Sequence, residues 1–140
     1  MLFLDASVLI WRTEGRAPFR KAARDAVAGL LKKHPDPVFA VSRLARLECR
    51  VKPLREGNQT LLALYERAFT RDLKVFDVSA AVLERATELR AALGLKTADA
   101  IHAATALLAG AHAFITSDTG FERVPGLNVC LVKLSGRQTR

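Results

Sequence analysis

The stretch Met1-Leu2-Phe3-Leu4-Asp5-Ala6-Ser7-Val8-Leu9-Ile10 decides the fold. Leu2–Leu4 is a short continuous apolar run, the pattern of a strand buried on both faces within a parallel sheet. It ends on a carboxylate, Asp5, with a hydroxyl, Ser7, two residues further on. Ligands of open α/β sheets sit just beyond the carboxyl ends of the strands, so Asp5 falls where a site is expected. Asp and Ser are also good helix N-caps, which leaves a plainer role open for both.

The rest of the chain repeats this grammar. Apolar strands are predicted over 38–41, 74–78, 113–116 and 127–132. Between them, helical periods run over 7–12, 18–33, from Ser42 as N-cap to Pro53 and Gly57, over 58–71, from Ser79 to Gly94, and from Thr97 as N-cap to Gly110. The third helix is expected to bury Leu44, Leu47 and Val51, the fifth Val82, Ala86, Leu89 and Leu93, and the sixth Ile101, Ala104, Leu107 and Leu108. Strands alternating with helices give an α/β fold: a single domain over residues 1–140, with a mostly parallel five-stranded sheet flanked by helices.

Composition narrows the function. Half of the 140 residues are apolar, which excludes a disordered chain. No apolar run approaches the roughly 20 residues of a membrane span, and residues 2–10 lack the basic start and cleavage site of a signal peptide. Cys49 and Cys130 are too few for a disulfide framework or metal knuckle and read as reduced thiols of a cytoplasmic protein. The net charge of +8 favours a polyanionic partner, nucleic acid first. Residues 12–33 carry seven Lys/Arg against Glu14 and Asp25, either a solvated helix face or a binding surface. The C-terminal Lys133, Arg137 and Arg140 form a basic tail.

Four acids stand out against this basic background. Asp5 and Asp118 follow directly on buried strands. Glu48 borders the apolar stripe of the third helix, and Asp99 lies in the first turn of the sixth, where the helix dipole favours an anion. In a doubly wound sheet all four can converge on one edge. At roughly 4 Å and an effective dielectric near 20, each like-charged pair costs on the order of 4 kcal/mol, so a cation or protonation must offset the crowding. With no His/Cys set to select a soft metal, an all-oxygen site points to Mg²⁺ or Mn²⁺. Carboxylate-held Mg²⁺ beside a basic surface implies phosphodiester chemistry.

The motifs Leu4-Asp5-Ala6-Ser7-Val8-Leu9, Leu44-Ala45-Arg46-Leu47-Glu48, Thr97-Ala98-Asp99-Ala100-Ile101-His102-Ala103-Ala104 and Thr116-Ser117-Asp118-Thr119-Gly120-Phe121 resemble those of PIN-domain ribonucleases of the VapC toxin type. They occur in that family's order and spacing and span essentially the whole chain. The resemblance implies four catalytic and metal-binding acids at Asp5, Glu48, Asp99 and Asp118, with Glu56 as the alternative to Glu48. It implies supporting hydroxyls at Ser7 and at Thr116 or Ser117. It further implies an Mg²⁺- or Mn²⁺-dependent endoribonuclease, often a homodimer, inhibited by a cognate antitoxin whose peptide covers the acidic site. His102, one turn after Asp99, is left with three roles: metal ligand, packing or RNA contact. An apolar patch of Leu61, Leu62 and Leu64 is a candidate dimer or antitoxin surface.

Two other patterns with an acid at the end of the first strand fail. A haloacid-dehalogenase-type phosphatase wants a second acid where Ser7 stands, and a receiver domain wants paired acids near the first strand and a lysine after the last. A non-catalytic RNA-binding or protein-interaction module on the same fold is the alternative reading. Such a module has no need of four converging acids.

Overall fold

The residues that follow Leu4 and Thr116 are brought side by side by the order of the strands. A computed structural model describes residues 1–134 of the chain; Arg137 and Arg140 of the basic tail lie outside them. Five strands, β1 (Leu2–Leu4), β2 (Phe39–Ser42), β3 (Lys74–Phe76), β4 (Ala113–Thr116) and β5 (Val129–Leu131), form one sheet in the order β3-β2-β1-β4-β5. Every pairing is parallel. The chain builds outward from β1 in one direction, then returns to add β4 and β5 on its other side. The crevice where the order reverses opens beyond the carboxyl ends of β1 and β4, and Phe3 pairs with Phe114 in that register.

The apolar run of β1 is explained by its two buried faces. Leu2 and Leu4 belong to one core cluster, with Val8, Val41, Tyr65 and Ile115. Phe3 points the other way into a second cluster with Ala40, Val82, Ala104 and Phe114. The first core is covered by α1 (Ala6–Glu14), α2 (Ala17–Leu31), α3 (Arg43–Glu56) and α4 (Gln59–Arg67), the second by α5 (Ala80–Leu93) and α6 (Thr97–Ala109). Phe3 stacks on Phe114 at 5.9 Å, and Phe114 meets Phe121 at 4.7 Å.

Ser42 and Ser79 cap α3 and α5 as their sequence positions predict, accepting from the amides of Leu44 and Val82. Other expectations are corrected. Pro53 does not end α3; the helix continues to Glu56 and stops at Gly57, whose left-handed φ of 67° few other residues adopt. The buried stripe of α3 is Ala45, Cys49 and Pro53, whereas Leu47 and Val51 are exposed and Leu44 is half-buried. Small side chains let α3 pack closely, and its leucines are left outside. Thr97 is the first residue of α6 rather than its cap, a position held by Lys96 without a side-chain bond. Because α6 is wedged among other elements, it buries His102 to Ala106 continuously, and Leu108 is exposed. The fourth helix gives way at Ala68 to a π-helical turn, Ala68–Asp72. Leu64 is exposed but Leu61 packs against the first core, so the predicted apolar patch does not form as one surface.

Cys49 is buried and its thiol is pushed up to about 12, by burial first and then by the charges of Glu48, Glu14 and Asp5. Burial also raises Cys130. Both are free thiols, and Cys49 stays protonated and inert at neutral pH.

Candidate functional site

Beyond the ends of β1 and β4 lies a cleft of about 370 Å³ whose lining includes Asp5, Ser7, Glu48, Lys96, Asp99, Ser117 and Asp118. Its acids come from four separate segments: the end of β1, the second turn of α3, the first turn of α6 and the residue two beyond β4.

Asp5 is 6% exposed and takes the N-cap position of α1, yet its side chain makes no capping bond. Its Oδ2 instead accepts from Ser7 Oγ at 2.9 Å and from Thr116 Oγ1 at 2.8 Å. The plain capping role is therefore set aside for its carboxylate. Thr116 Oγ1 in turn accepts the amide of Asp118 at 3.1 Å, so one fully buried hydroxyl ties the two strand-end acids together. Ser7 and Ser117 hydroxyls lie 3.4 Å apart. Asp118 is exposed, and its Oδ1 accepts from the Gly120 amide at 2.8 Å, opening the 3₁₀ turn Thr119–Arg123.

Asp99 is half-buried. Its carboxyl is pushed above the ordinary value, by burial first and then by the negative charges of Asp5 and Asp118, with Lys96 pulling the other way. Besides its burial, Asp99 thus feels the charges of the two other aspartates that line the cleft. Glu48 is half-buried, and its Oε1 stands 2.5 Å from Nε2 of the buried His102. Glu56 is exposed at the end of α3 and does not line the cleft.

A PIN domain family model matches residues 2–127. The chain belongs to the PIN domain family. Among solved structures it is similar to a toxin–antitoxin complex from Klebsiella pneumoniae, with 27% identity, a TM-score of 0.69, and coverage of 91% of this chain and 95% of that one. VapBC2 from Rickettsia felis, bound to a DNA fragment from its promoter, is 19% identical with a TM-score of 0.70, covering 92% and 97%. The toxin VapC20 from Mycobacterium tuberculosis, described as cleaving the Sarcin-Ricin loop, is 18% identical with a TM-score of 0.68, covering 87% and 93%. At those identities the last two likenesses concern the fold. No curated protein matches this chain.

Within this PIN domain the four acids predicted from sequence all line the one cleft. Of the hydroxyls, Thr116 and Ser7 bond directly to Asp5, and Ser117 reaches only Ser7. Two features were not foreseen. Lys96 is the one cation among the residues lining the cleft. Its signal in the sequence is a lysine set just before a helix N-terminus, the end where the dipole disfavours a cation. The second is the contact of Glu48 with His102, 54 residues apart. Neither residue's local pattern announces it.

Proposed function

We propose that this PIN domain is a metal-dependent endoribonuclease and the toxin of a toxin–antitoxin pair. One observation carries the reading: four carboxylates from four segments line a single cleft at the switch point of the sheet, in a chain of the PIN family. Asp5, Glu48, Asp99 and Asp118 offer oxygen donors only, which suit Mg²⁺ or Mn²⁺. The raised carboxyl of Asp99 fits this, since a cation there would relieve the repulsion from Asp5 and Asp118. Among the described residues no three of Asp, Glu, His and Cys are gathered closely enough to hold an ion on their own. Bound in the cleft, Mg²⁺ or Mn²⁺ would supply an activated water and charge compensation for the leaving oxygen of a phosphodiester.

The chain's own groups divide the remaining work. Ser7 and Thr116 fix the orientation of Asp5 through Oδ2. Lys96, on the cleft wall, offers an ammonium to the scissile phosphate. The exposed cations of residues 12–33, of which only Lys21 is paired with an acid of that stretch, offer contacts to the RNA backbone without reading its sequence. The antitoxin partner is supported by the 27% identical toxin–antitoxin complex. A homodimer and a cytoplasmic location complete the reading; among the described residues no helix is long and apolar enough to cross a membrane.

The test incubates the protein with structured RNAs, tRNA and ribosomal RNA among them, with Mg²⁺, Mn²⁺ or EDTA. Discrete cleavage that requires the metal is the predicted outcome. RNA binding of equal strength with and without EDTA, and no cleavage, favours the non-catalytic binding module.

A further inference from the structure

We infer that His102 is a positioning residue for Glu48, its Nε2–H holding one carboxylate oxygen so that the other serves the acid cleft. The inference rests on the reading of that cleft as a metal site. His102 is only 1% exposed, and its Nε2 meets Glu48 Oε1 at 2.5 Å across the junction of α6 and α3. Its Nδ1 is buried without a hydrogen-bond partner, so among the described residues Glu48 is the ring's one side-chain contact of polar kind. A ring kept for packing alone is poorly served by this arrangement, because an apolar side chain of similar size leaves no buried nitrogen unmet.

Among the described residues Glu48 has no other side-chain hydrogen bond or ion pair. Lys52, one turn further along α3, approaches Glu14 at 4.0 Å instead. The Glu48 side chain keeps 32% of its exposure and lines the cleft, so without a fixed partner its three rotatable bonds would leave the carboxylate free to swing into solvent. His102 stands three residues after Asp99 on the same helix. One rigid element thus presents Asp99 to the cleft directly and reaches a second acid through the imidazole. Ligating carboxylates are commonly oriented by such hydrogen-bonded partners, whose loss weakens metal affinity.

The experiment measures Mn²⁺ affinity of the full chain by calorimetry, beside RNA cleavage. His102→Asn and His102→Leu remove the donor, since the Asn amide reaches only as far as Nδ1. His102→Gln carries an N–H near the Nε2 position. Thermal unfolding of each variant confirms that it is folded, and either donor-deleting variant suffices. The account predicts Mn²⁺ binding about 10–100-fold weaker in Asn or Leu, with most of the loss recovered in Gln. In a Glu48→Gln background, His102→Asn should add no further loss, a coupling that a merely structural role would not produce. In cleavage, kcat should fall while KM for RNA holds. Equal affinity in all three His102 variants and wild type, or the same loss in the Glu48→Gln background, overturns the positioning role and leaves the nuclease reading standing. A wild-type protein that neither binds Mn²⁺ nor cleaves RNA removes both.

Discussion

Thr116 Oγ1 accepts from the Asp118 amide and donates to Asp5, so the two strand-end acids are positioned by one side chain that is itself fully buried. Both acids were legible because each ends an apolar strand, and Asp99 because it opens a helix. The Glu48–His102 bond was not, since it depends on how α3 and α6 meet and not on either residue's neighbours in sequence. The crowding itself makes a prediction at this scale. The Asp99 carboxyl is held above its ordinary 3.8 by burial and by Asp5 and Asp118. A raised native value means that the folded state binds the proton more tightly, so stability falls as pH rises from 3.8 through the native value, and the penalty is complete above it. Asp99→Asn should therefore raise the Tm of the metal-free protein at pH 7, a gain that shrinks as the pH is lowered towards 3.8. Thermal scans across pH check it; a lower Tm for the variant at pH 7 counts against the crowding.

At the scale of elements, strand positions and helix order were readable, because β-runs and helical periods alternate cleanly and Ser42 and Ser79 cap where expected. The inward face of α3 was not. Its larger apolar residues, Leu44, Leu47, Val51 and Leu54, line an open groove with Arg43, Arg46 and Arg50, while Ala45 and Cys49 face the core. Periodicity identifies a stripe but not which of two stripes faces inward, and size favoured the wrong one. The difference is measurable. Ala45→Leu should destabilise by about 1–3 kcal/mol through overpacking, while Leu47→Ser, more than half exposed, should change stability by about 0.5 kcal/mol or less. Urea unfolding of the two variants decides between the faces, and a larger loss in Leu47→Ser would restore the original assignment.

At the scale of the whole molecule, a chain of net charge +8 gathers four of its 14 acids at one cleft. The uneven placement argues for a division of labour, with outer cations that hold a polyanion and inner acids that act on it. The charge excess was visible in composition, and the convergence of the acids followed from the strand order. The position of Lys96 beside the acids needed the cleft. The most direct measurement is single-turnover cleavage of a bound RNA in Mn²⁺ by wild type, Asp99→Asn and Asp118→Asn, with RNA affinity measured in parallel. Each variant should lose several kcal/mol of transition-state stabilisation, about 10²–10³-fold or more in rate, while binding RNA as tightly as wild type. Cleavage at wild-type rate in both variants would contradict the account and place the chemistry outside the acid cleft.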